Sequence, residues 1–213
     1  MPTLKIPPPN NNMVLYKRRD KFANFSVKVG LAFSKLPLSP NQWTCLSLVP
    51  VLFALYFLVN GQFLYAAGLF LLSAFLDLVD GSVARVTGTV SKKGAYLDTV
   101  VDRYVEGIIV LGLLFASLPD FFLPIQAWLF LYFFGAMMTT YVKAAAKEKE
   151  LTEKEIKGGF LERAERLLIL FIGILVASLD PFYLSYTIVV LAVLSNITAL
   201  QRIWEAVKER GGK

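Results

Sequence analysis

The chain contains no histidine and a single cysteine, Cys45. Without histidine the commonest general base and zinc ligand is missing. Any acid–base or metal chemistry therefore falls to carboxylates, which suit magnesium, manganese or calcium. One cysteine excludes an intramolecular disulfide, and Cys45 reads as a small apolar filler. Charge-free stretches long enough to cross a membrane are present, whereas a signal peptide is not: the N-terminal apolar runs are broken by charge and no cleavage site follows. No internal repeat is apparent. Apolar residues make up 56% of the 213, above the 45–50% or so of soluble domains, which indicates one integral membrane domain.

Residues 1–12 hold a run of three prolines followed by three asparagines. They read as linker, as a remnant of expression or as the tail of another domain, and residues 13–213 as the membrane domain. Residues 14–36 place Lys17, Arg18, Arg19, Lys21, Lys28 and Lys35 among Phe22, Phe25, Val29, Leu31 and Phe33, the pattern of an amphipathic basic helix lying on a membrane surface. Pro37–Pro40 marks a turn, with Ser39 or Asn41 able to cap the next helix. Six membrane-length stretches follow, near 41–59, 62–85, 95–117, 122–146, 161–179 and 182–204. The expected fold class is therefore all-α: a polytopic membrane protein with six transmembrane helices and an N-terminal cytoplasmic amphipathic helix. Lys and Arg are absent from the first, third and fifth connections and collect in the others. By the positive-inside rule both termini and the even-numbered connections face the cytoplasm of a cell membrane.

Four aspartates flank the second connection. Asp77, Asp80, Gly81 and Ala84 are spaced i, i+3, i+4, i+7, and Gly94, Asp98 and Asp102 i, i+4, i+8, so each set lies on one helix face. Intramembrane carboxylates are costly and normally functional. The short connection makes the two helices antiparallel neighbours whose carboxylate faces meet. Like charges in low dielectric demand neutralisation, and four carboxylates could bridge two divalent cations, an arrangement suited to in-line displacement at phosphorus. Gly81 and Gly94 leave room for a bulky ligand, and Arg85 offers a planar fork to phosphate. A second basic group lies at the same level: Lys143 ending the fourth span, Arg163 opening the fifth and Arg202 near the end of the sixth. These three could bind an anionic acceptor, whereas Lys147, Lys149, Lys154 and Lys157 read as anchors to anionic lipid headgroups. Glu106 extends the third-span stripe and either positions an acceptor hydroxyl or pairs with Arg103. Two non-enzymatic readings stand beside these: helix-end carboxylates paired with Arg85, Lys92 and Arg103, and an ion or proton pathway.

The run D-x2-D-G-x2-A-R-x8-G-x3-D-x3-D, from Asp77 to Asp102, resembles the signature of the CDP-alcohol phosphotransferase family at every position, and the six-span layout resembles it too. The resemblance implies that Asp77, Asp80, Asp98 and Asp102 hold two divalent cations, Mg2+ or Mn2+. Asp102 would also act as general base on the acceptor hydroxyl. Gly81, Ala84, Arg85 and Gly94 would contact the CDP moiety of a CDP-alcohol donor, joined by Asn41 and Thr44. The segments around Tyr141–Ala144 and Gly158–Leu167 resemble the inositol-phosphate-using branch: phosphatidylinositol phosphate, archaetidylinositol phosphate and di-myo-inositol phosphate phosphate synthases. There Lys143, Arg163 and Arg202 would bind the acceptor phosphate. The surroundings of Ala145 and Lys147 depart from the bacterial pattern, which weakens assignment to the bacterial enzymes and leaves the archaeal ones open. The expected reaction moves a substituted phosphoryl group from a CDP-lipid or CDP-inositol to an inositol phosphate, releasing CMP. Glycerol 3-phosphate, or another alcohol, is the alternative acceptor, and a carboxylate-lined transporter the non-enzymatic alternative. Expected partners are donor, phosphorylated polyol, membrane lipid and a second copy in a homodimer, with no nucleic acid, since topology accounts for the basic residues.

Overall fold

The computed structural model describes residues 24–151 and 159–208. The expected linker, the first ten residues of the expected surface helix, and Lys154 and Lys157 lie outside them. Among the described residues the chain is helical throughout its regular structure, apart from one isolated bridge between Phe121 and Leu123. Helix α1 covers residues 24–33. It is followed by α2 (Pro40–Leu46), α3 (Leu48–Val59), α4 (Phe63–Val86), α5 (Lys92–Phe115), α6 (Ile125–Glu148), α7 (Arg163–Val176) and α8 (Pro181–Lys208).

Local chemistry sets these boundaries. Ser39 caps α2 in a reciprocal box: its hydroxyl accepts from the Gln42 amide, and its own amide donates to Gln42 Oε1 at 2.8 Å. The expected first span is divided at Ser47, because Pro50 has no N–H to give to the Leu46 carbonyl and its ring crowds that group. Gly88, at φ +68°, turns the chain out of α4 in the left-handed conformation that glycine tolerates. Ser91 then caps α5 by accepting from the Gly94 amide at 3.0 Å. Cys45 is exposed on α2 rather than a core filler.

Among the described residues, four helical stretches are long and apolar enough to cross a membrane: Pro40–Val59, α4, α6 and α8. The two remaining expected spans differ for physical reasons. Helix α5 is as long as α4 but carries Asp98, Asp102, Arg103 and Glu106 within its first fifteen residues, and α7 has only 14 residues. With large apolar side chains such as Leu52, Phe53, Tyr65, Phe130 and Leu200 turned outward, the chain is a membrane protein.

The helices pack pairwise into a closed ring: α3 on α4, α4 on α7, α7 on α8, α8 on α6, α6 on α5 and α5 back on α3. Leu58, Ile109, Leu113, Leu170, Ile174, Leu184 and Ile188 fill its interior. Contrary to the expectation from the short connection, the backbones of α4 and α5 scarcely approach each other. The α2–α3 segment packs against both and holds them apart. Two glycines permit close crossings within the ring. A Cβ on Gly112 of α5 would lie 2.9 Å from Leu58 Cδ1 and 3.1 Å from Leu55 Cα, and one on Gly135 of α6 would lie 2.9 Å from the Asn196 nitrogen of α8.

A polar tie crosses the ring where backbones do not meet. Glu106 of α5 is fully buried and takes two hydrogen bonds from Arg166 of α7, from Nε at 2.8 Å and Nη2 at 3.1 Å. The Tyr132 hydroxyl of α6 donates to the same carboxylate at 2.9 Å, and Arg103 Nη1 approaches it at 3.3 Å while donating to Thr140 Oγ1 at 3.1 Å. Glu106 is therefore a structural centre with Arg166 as its principal partner, and Arg103 comes second.

Two outcomes are expected in detergent-solubilised protein. Gly112→Leu should lower stability by about 1–3 kcal/mol through overpacking, seen as a fall in Tm, while Gly68→Ala, with nothing within 4 Å of its Cβ, should not. Glu106→Gln strands the buried Arg166 charge and should cost about 3–5 kcal/mol, whereas Tyr132→Phe removes one donor of several and should cost about 1 kcal/mol. Equal losses in the last pair would show that the charge is not what matters.

Candidate active site

The two aspartate stripes converge across the gap that α2–α3 creates. Asp77 of α4 and Asp98 and Asp102 of α5 each bring a carboxylate oxygen within 4.8 Å of the other two. Asp80 stands one turn along α4, outside that trio. It is buried, and its Oδ2 has no hydrogen-bond partner among the described residues. Three clustered carboxylates and an orphaned fourth oxygen form a hard, anionic donor set that fits divalent magnesium or manganese and would repel an apolar or anionic occupant. Asp102 is partly compensated within the chain: Arg163, the first residue of α7, reaches its Oδ1 at 2.5 Å, and Arg103 Nη2 stands 3.9 Å from its Oδ2.

Beside the carboxylates opens a cavity of about 560 Å³. Asn41 and Thr44 line it from α2, Asp80, Gly81, Ala84 and Arg85 from α4, and Gly94 and Asp98 from α5. All six residues expected on the nucleotide side thus surround one space. The glycines shape it. A Cβ on Gly81 would sit 3.3 Å from Arg85 Nη1, so its absence lets the guanidinium lie across the helix; one on Gly94 would sit 3.2 Å from Ser91 Oγ and 3.3 Å from Asn41 Oδ1. A larger hollow of about 820 Å³ between Phe160 and Trp204 along α8 holds none of the aspartates and is apolar.

The three expected acceptor cations are distributed differently. Arg163 is at the carboxylates. Arg202 is buried and donates from Nη1 to the Thr139 carbonyl of α6 at 2.8 Å. Lys143 lies one turn beyond Thr139 on the same side of α6, half-buried. Arg166 was legible only as the second arginine of its segment; its spacing of three from Arg163, matched by the spacing of four from Asp102 to Glu106, is the signal that links them.

Comparison with known proteins agrees with this arrangement. Residues 37–200 match the family model described as CDP-alcohol phosphatidyltransferase. The chain is 34% identical to the archaetidylinositol phosphate synthase of Pyrococcus horikoshii over 197 residues, 92% of this chain and 97% of that protein. Among solved structures it resembles the phosphatidylinositol phosphate synthase of Mycobacterium tuberculosis with CDP-DAG bound, with TM-score 0.76 and 28% identity over 86% of this chain and 94% of that one. The same enzyme in complex with manganese and citrate also gives a TM-score of 0.76 at 28% identity, covering 86% and 88%. A signature at its fixed spacing, a carboxylate cluster beside a cavity of nucleotide size and a family match across most of the sequence agree: the chain belongs to the CDP-alcohol phosphatidyltransferase family.

Proposed function

We propose that this enzyme transfers a phosphatidyl-type group from a CDP-linked lipid to a hydroxyl of an inositol phosphate and releases CMP. The observation that carries this reading is the placement of the carboxylate cluster between the Arg85 cavity and the Arg163 ion pair. The cavity is lined by α2, α4 and α5, and Arg163 meets the cluster at Asp102 from the N-terminal end of α7. The names of the relatives support the acceptor, and the CDP-DAG bound to the M. tuberculosis enzyme supports a lipid donor.

In this reading Asp77, Asp80, Asp98 and Asp102 would hold two divalent cations, which when bound would neutralise the donor pyrophosphate and the developing charge on departing CMP. Asn41, Thr44, Gly81, Ala84, Arg85 and Gly94 seat the CDP moiety. Asp102 takes the proton of the acceptor hydroxyl. The acceptor oxygen then bonds to the phosphorus that carries the lipid, and the bond from that phosphorus to the CMP oxygen breaks. Arg163, with Lys143 and Arg202, pairs with the acceptor phosphate and aims the hydroxyl. The six apolar segments would all cross the membrane, with the surface helix, both termini and the site on the cytoplasmic side, and the protein would work as a homodimer.

A CMP-release assay with magnesium or manganese tests the reaction, pairing CDP-diacylglycerol and CDP-archaeol with inositol 1-phosphate and with glycerol 3-phosphate. Turnover confined to inositol phosphate is expected; turnover with glycerol phosphate alone would overturn the acceptor assignment. Asp102→Asn should lower kcat by about 10²- to 10⁴-fold, the worth of a general base, and undiminished activity would remove that role. Arg163→Ala should raise the acceptor KM roughly 10- to 100-fold, the loss of a charged hydrogen bond, with the donor KM nearly unchanged. If both constants rise together, Arg163 does not belong to the acceptor pocket.

A further inference from the structure

Helix α1 lies along α4 through Ser26, Val29, Gly30 and Phe33, spaced i, i+3, i+4, i+7 and so forming one face. The facing residues of α4, Val79, Ser82, Val83 and Val86, repeat the same spacing two residues on from the carboxylate stripe, on the other side of that helix. Val29 joins Val79, Val83 and Trp43 in a small apolar cluster, and Phe33 meets the Trp43 ring edge-on at 5.4 Å. The approach leaves no room for a side chain: a Cβ on Gly30 would fall 2.5 Å from the Ser82 carbonyl oxygen.

This close docking buries a hydroxyl beside the donor cavity. Ser26 is 5% exposed and Ser82 fully buried, and their Oγ atoms are 2.7 Å apart. Arg85 Nη2 donates to Ser26 Oγ at 2.8 Å and to Ser82 Oγ at 3.3 Å, while the Nη1 side of the guanidinium lies over Gly81. Of the two partners, the shorter bond comes from α1, a helix outside the family signature. A guanidinium on a long flexible stem loses much freedom when it binds phosphate, so a group that fixes it beforehand strengthens binding.

Resting on the donor-site reading above, we propose that Ser26 is a positioning residue for Arg85, through which the surface helix contributes to binding of the CDP moiety. The test is calorimetric titration of the purified full-length protein with CMP in the presence of magnesium. Ser26→Ala should weaken CMP roughly threefold to tenfold, the worth of one hydrogen bond. Ser26→Thr, which keeps the hydroxyl, should restore the affinity. In an Arg85→Ala background the Ser26→Ala change should have no further effect, a non-additivity that general loosening of the fold would not produce. In the release assay the donor KM should rise while the acceptor KM stays the same. An unchanged CMP affinity in Ser26→Ala, or the same loss with and without Arg85, overturns the proposal alone. If the unaltered protein binds no CMP, the donor-site reading fails and this inference fails with it.

Discussion

Bringing three carboxylates within 4.8 Å of one another is the constraint around which this molecule is built. At that separation each pair of full charges repels by roughly 3.5 kcal/mol at an effective dielectric of about 20. The three pairs together amount to roughly 10 kcal/mol, comparable to the whole folding stability of an ordinary domain. Among the described residues, Arg163 and the more distant Arg103 both pair with Asp102 and cannot offset the sum. A hard divalent cation can, and the donor set matches one. The convergence also needs a scaffold that does not yield to the repulsion, which the closed helix ring supplies.

The scaffold and the chemistry are linked by two ion pairs one helical turn apart. Asp102 and Arg163 form the outer pair, Glu106 and Arg166 the inner one, and both join α5 to α7. The inner pair is sealed from water, bidentate, and further held by Tyr132. It fixes the rotation and height of α7 against α5, and so decides where Arg163 stands at the site. A buried ion pair thus sets the position of a residue that the proposed reaction uses.

What could be read from the sequence follows from periodicity. The six apolar segments showed in their length and hydropathy and the two aspartate stripes in their 3.6-residue spacing, and each of those segments is helical. The cavity-lining positions on α4 and α5 followed from the signature spacing, and Asn41 and Thr44 from the family resemblance alone. Features that depend on distant partners were not legible. Glu106 and Arg166 are 60 residues apart, and nothing local to Glu106 distinguishes Arg166 from the adjacent Arg103. The short connection between α4 and α5 suggested direct packing, yet the α2–α3 segment, broken by Pro50, takes that place. Ser26 sits in a basic, apolar stretch with no motif, and only the absence of a side chain at Gly30 brings it to Arg85. The charge on α5 and the shortness of α7 separate helices that hydropathy alone had grouped with α4.

The length of α7 sets a depth. Fourteen residues rise about 21 Å at 1.5 Å each, against a hydrocarbon layer of about 30 Å. If its Val176 end reaches the far boundary, Arg163 at the other end lies about 9 Å beneath the near one. The reacting groups would then meet below the headgroup plane, at the floor of a wet funnel. On the proposed reaction, a water-soluble acceptor would then have to descend into the membrane to reach them, while a lipid-linked phosphate would need only to dip a short way from its own leaflet.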